Sequence, residues 1–178
     1  MKSHRRQRGV TLVEVLIALV IISIGLLGVA KMQALAISST RTSSVRSLVA
    51  IEAASMASAM HANRAYWSNV ATATTTFSAS VGGATITAAT DTALTAQTAN
   101  CRSSVCVGVP MAAFDLSAWG GALQAVIPAS TGTVVCSGNP VACTITVQWQ
   151  EQNVAMNAAT QYANQGATTL TYSLLVQP

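Results

Sequence analysis

VTLVEVLIALVIISIGLLGVA, Val10 to Ala30, is the stretch on which the fold of this chain turns. It holds one charge, Glu14. As a helix rising about 1.5 Å per residue it would reach about 31 Å, close to the hydrocarbon thickness of a bilayer. It is apolar all round, which suits a membrane span better than an amphipathic surface helix. MKSHRRQRG precedes it at residues 1–9, with Lys2, Arg5, Arg6 and Arg8. A basic flank of this kind favours an N-terminus kept in the cytoplasm.

A plain membrane anchor and a secretory signal peptide both fit this outline. For the latter, Gly28–Ala30 could pass as a small-residue cleavage site. Neither accounts for Glu14, because a carboxylate deep in a membrane helix costs about 2.5–3.5 kcal/mol on insertion scales. The basic leader ending in Gly9, followed by V-T-L-V-E-V-L-I-A-L, resembles the type IV prepilin signal. That resemblance implies cleavage between Gly9 and Val10 by a prepilin peptidase, N-methylation of Val10, and an assembly role for Glu14. The first mature residue is Val, where the family usually has Phe. No helix-bending proline follows the apolar run, and Gly25 and Gly28 are the candidates for local helix weakness.

The helical pattern continues past the apolar run. Leu35, Thr42, Val45, Val49, Ala53, Met56 and Met60 fall on one face at helical spacing. No Gly or Pro interrupts residues 29–65. Residues 10 to about 62 are therefore expected to form one helix, roughly 80 Å long. Its second half would lay a stripe of small and Met side chains on a globular domain. The expected division is a leader at 1–9, removed; a transmembrane half-helix at 10–30; a periplasmic half-helix at 31–64; and a pilin-type domain at 65–178.

Ala and Thr fill 19 of the 29 positions in residues 71–99, with Asp91 as the one charge. This reads as a surface connection with one or two short strands. Beyond it, Val105–Val109 reads as a short strand. Pro110 can open a helix whose buried face is Leu116, Trp119, Leu123 and Val126/Ile127, and Pro128 ends it. Gly120-Gly121 argues for a short helix. Thr133–Cys136 and Cys143–Gln150 read as a hairpin around Ser137-Gly138-Asn139-Pro140. Ile145, Val147 and Trp149 alternate with polar residues, as do Leu170, Tyr172, Leu174 and Val176, the pattern of half-buried antiparallel strands. A long helix with a small antiparallel β-sheet is an α+β architecture. H-A-N-R at 61–64, A-A-F-D-L-S-A-W at 112–119, T-I-T-V-Q-W at 144–149 and the closing L-L-V-Q-P resemble the PilV group of minor pilins. A pseudopilin of the type II secretion system shares the leader and helix and is the close alternative.

Hydrophobic residues make up 51% and charged residues 8%, which excludes a disordered chain. The net charge of +4 belongs to the leader, because residues from 10 onward carry five basic and five acidic groups. No basic face for nucleic acid remains. Cys101, Cys106, Cys136 and Cys143 all lie in the C-terminal half. In an oxidising periplasm disulfides are the default, with three connectivities possible. The hairpin favours Cys136–Cys143, leaving Cys101–Cys106. A zinc site is disfavoured, because no C-x2-C pair occurs and the two histidines are His4 and His61. G-x-S-x-G, P-loop and H-E-x-x-H motifs are absent. Asp91, Asp115 and Glu151 are the carboxylates left for acid–base chemistry, with Asp115 expected to cap or orient its helix. Arg41, Arg46 and Arg64 are expected to keep the helix soluble.

These readings lead to a non-enzymatic structural subunit without metal, cofactor or small-molecule substrate. By resemblance it is a minor pilin of a priming complex in the inner membrane that starts a type IV pilus and reaches the pilus surface or tip. Its partners would be prepilin peptidase, other minor pilins, the major pilin and inner-membrane lipid. A soluble periplasmic binding module released after Ala30 is the reading from a different class.

Overall fold

The computed structural model describes residues 9–72, 74–151 and 168–178. Residues 1–8 of the leader lie outside the described residues. The chain divides after Arg41 into two units, and helix α1, Leu12–Ala62, contributes to both. α1 is unbroken through Gly25 and Gly28, so neither glycine interrupts it. The cost of a helical glycine, about 1 kcal/mol each, is borne without interruption.

In the first unit, every apolar side chain from Val10 to Leu27 stands uncovered by the chain itself. The second unit, Thr42–Pro178, holds the core. Val49, Ala53, Met56 and Met60 of α1 are buried there, the stripe that the helical spacing predicts. Helix α2, Arg64–Trp67, follows and buries Trp67, whose ring meets Phe77 edge-on at 5.6 Å.

Strand β1, Phe77–Gly82, pairs with β2, Thr85–Ala89. A four-residue helix α3, Thr92–Thr95, is capped by the Asp91 carboxylate, which accepts from Ala93 N. Helix α4, Val109–Val126, precedes β3, Thr131–Ser137, and β4, Ala142–Glu151. Strand β5, Thr168–Val176, closes the sheet. The order is β2-β1-β3-β4-β5, with every pairing antiparallel. Pleat and register bring inward residues into rows. One row is Phe77, Cys136, Cys143 and Val176; the next is Ala79, Val134, Ile145 and Leu174. The opposite face carries Ser and Thr, with Ser80–Thr133 and Thr146–Ser173 hydroxyl contacts between neighbouring strands. The fold is α+β and pilin-like: a long N-terminal apolar helix and a small antiparallel sheet.

Four expectations are corrected. Residues 71–99 hold two short strands, as expected, but not as a surface connection: β1 alternates buried and half-buried positions and sits inside the sheet between β2 and β3. Val105–Val109 is not a strand; Val105 is 97% exposed and α4 begins at Val109. Gly120-Gly121 does not shorten α4, which runs for 18 residues. A Cβ on Gly120 would run into the Gly83 carbonyl oxygen and crowd Val81, so the missing side chain is what lets α4 seat against β1. Asp115 caps nothing, because α4 starts six residues earlier with Gly108 at its N-cap.

Candidate functional site

The N-terminal site is built from Gly9, Val10, Thr11 and Glu14. Gly9, Val10 and Thr11 lie outside α1 and are exposed, so the Gly9–Val10 peptide bond is open to a processing enzyme. Glycine presents no side chain to obstruct approach to that bond. Thr11 caps the helix: its Oγ1 accepts from the Glu14 backbone N–H at 3.3 Å, and its carbonyl accepts from Val15 N at 3.3 Å. Thr11 and Glu14 thus stand three residues apart at the positions of a capping box. Glu14 lies in the first turn, where a negative charge is favoured by the helix dipole. The T-x-x-E spacing was the available signal for the cap, and a hydropathy reading of this stretch passes over Thr11.

The carboxylates of the second unit have separate surroundings. Asp91 accepts from the Tyr66 hydroxyl at 2.9 Å as well as from Ala93 N. Burial, and then the bond to Asp91, push the Tyr66 hydroxyl pKa upward. This pair lines a cleft of about 350 Å3 with Asn69, Phe77 and Thr90. Glu151 pairs with Arg46 at 3.2 Å, so Arg46 ties α1 to β4 rather than serving solubility alone. Asp115 lies on α4 beside a second cleft of about 240 Å3 lined from α1 by Ser55, Met56 and Ala59. Burial raises its carboxyl to about 6. His61 is exposed at the end of α1. Among the described residues no three His, Cys, Asp or Glu side chains are placed to share a metal ion.

The cysteines form Cys101–Cys106 and Cys136–Cys143. Cys136 and Cys143 face one another across β3 and β4 and are fully buried. The intervening turn has Gly138 at φ 90°, a conformation open to glycine at little cost.

Residues 4–30 match the prokaryotic N-terminal methylation motif. The chain therefore carries a type IV pilin-like leader, the signal processed by prepilin peptidase. The match covers both residues of the proposed scissile bond and Glu14. No curated protein and no solved structure matches the chain. One helix among the described residues, α1, is long and apolar enough to cross a membrane. Leader and helix together are consistent with membrane anchoring.

Proposed function

We propose that this chain is a minor pilin: a non-enzymatic subunit, inserted in the inner membrane with its second unit in the periplasm, that enters the priming complex of a type IV pilus. The observation that carries the reading is the methylation motif continuous with an uncovered apolar helix. After cleavage, Val10 bears a cationic, methylated α-amine. Glu14 lies in the first turn of the same helix, where the carboxylate of one subunit pairs with the amine of its neighbour as helices bundle. An unpaired carboxylate in low-dielectric packing is costly, so this pairing selects the axial register. Thr11 starts the helix between the two charges and so fixes Glu14 in its first turn.

Glu14→Leu tests the reading. The variant is expected to insert and be cut after Gly9 as in the wild type, yet to be depleted from sheared filaments and from cross-links to other pilins. Incorporation at the wild-type level would contradict the role given to Glu14. Co-purification of the wild-type chain with secretion-system components instead of pilins would assign it to the pseudopilins.

A further inference from the structure

The sheet ends in two edges of different make. β2 at one end is five residues long, its register with β1 shifts between Ser80 and Val81, and α3 and α4 lie against it. Shortness, bulges and covering helices are the usual guards of a sheet edge. β5 at the other end is nine residues long and carries no charge and no proline. It pairs with β4 over its whole length without a shift in register, and β4 is its one strand partner among the described residues. An edge of this kind presents backbone N–H and C=O groups that a further strand can satisfy.

The order of side chains along β5 says which strand fits. Thr169-Leu170-Thr171-Tyr172-Ser173-Leu174-Leu175 reads nearly the same in both directions about Tyr172, the midpoint of β5. An antiparallel second copy centred there sets Thr171 against Ser173, Leu170 against Leu174 and Tyr172 against Tyr172, with Thr169 against Leu175. Hydroxyls meet on one face and large apolar groups on the other, and the whole strand overlaps. A slip of one residue would mix the two faces. Leu170, Tyr172 and Leu174 pack on the core yet are only half-buried by their own chain, and Leu175 is 70% exposed. A neighbouring strand of the same sequence covers both sets.

We propose that β5 pairs antiparallel with β5 of a second copy of this chain, joining the two sheets into one. No like charges oppose the contact, because the strand has none. A strip of this length is about 30 Å long at about 3.4 Å per residue, and at about 10 Å wide it buries about 300 Å2 on each copy. A stable complex buries about 800 Å2 per partner, so dilute chains freed from the membrane stay single. Copies anchored in one membrane meet at a high effective concentration, which supplies what the area lacks. That step rests on the membrane-inserted reading above; the match of β5 with itself does not.

The test uses the full-length chain in its native membranes. The native cysteines are all in disulfides, so an introduced pair reports on contact. One tagged copy carries Thr171→Cys and a differently tagged copy carries Ser173→Cys. Opposite positions on paired strands lie about 4.5–5.5 Å apart at Cβ, within reach of a disulfide after slight adjustment. Oxidation is expected to give a product bearing both tags. Thr169→Cys in place of Ser173→Cys lies about 14 Å out of register and should give at least ten-fold less. Adding Thr169→Lys and Leu175→Lys sets like charges opposite one another and should lower the yield about ten-fold. Thermal melting of the purified lysine variant shows that it is folded. A photo-cross-linking phenylalanine at Leu175 identifies the neighbour, and the expected linked peptide is β5 of another copy. Equal yields in the two registers, a yield unmoved by the lysines, or a link to another protein, to lipid or within one chain overturns the pairing. If the chain is in membranes and no product carries both tags, the pairing falls and the membrane reading stands. If the product forms in a chain recovered outside membranes, the pairing stands and the membrane reading falls.

Discussion

Asp115 couples the stability of the second unit to pH. Its carboxyl titrates near 6 when folded, against about 3.8 ordinarily, because burial disfavours the charged form. Between those values the folded state holds the proton more tightly than the unfolded state, so stability falls as pH rises. The favourable contribution is complete below about 3.8 and lost as pH passes 6. Asp115→Asn should therefore stabilise the protein at pH 7 by about 1 kcal/mol, after allowance for solvent screening of a half-exposed group. Melting curves should show a gain of about 2–4 °C at pH 7 that shrinks toward zero at pH 4. A gain equal at both pH values would mean that the effect is not ionisation. Asp115 was legible as a carboxylate on a helix but not as a half-buried one, because the facing cleft wall comes from α1, more than fifty residues away in sequence. Thr11 was not read as a cap, although its spacing to Glu14 is a local signal that needs no fold to be seen.

Among the elements, α4 shows how packing overrides propensity. Gly120 and Gly121 are neighbours with the same intrinsic helix cost, yet their surroundings predict opposite outcomes. Gly120→Ala places a methyl against the Gly83 carbonyl and Val81, and should destabilise by about 1–3 kcal/mol. Gly121→Ala meets Ala84 alone, at 3.5 Å from its Cβ and in ordinary contact, and should stabilise by about 0.5–1 kcal/mol, the gain in helix propensity. Denaturant midpoints of the two variants check this, and the same sign for both would refute the packing assigned to α4. Opening the Cys136–Cys143 disulfide should cost roughly 2–3 kcal/mol by the chain-entropy account, read as a lower denaturant midpoint after substitution of both residues by Ala. The β3–β4 hairpin was readable because its large residues alternate over a long run around Gly and Pro. A short strand was expected within residues 71–99, but the position of β1 was obscured because Ala79 and its Ser neighbours carry little hydropathy contrast. Its strand identity comes from pairing with β3, over fifty residues downstream.

For the whole molecule, the sequence separates its lipophilic stretch from the rest, and the structure bears out the α+β architecture. Val10 to Leu27 is uncovered, whereas Val49, Ala53, Met56 and Met60 are buried by the second unit. A chain beginning at Lys31 should therefore remain soluble and monomeric once its disulfides form, as sizing chromatography would show. Persistent aggregation would mean that the stripe at residues 45–60 serves a partner instead of the core. Partners and place of assembly are the least legible part, because they depend on surfaces of other subunits. As a filament subunit, the chain would carry Val10 as its methylated head. Mass spectrometry of the chain's N-terminal peptide, taken from sheared filaments, tests it most directly. A peptide starting at N-methyl-Val10 is expected in the filament fraction; a chain that still begins at Met1, begins at Lys31, or is absent from filaments would overturn the role given to Val10.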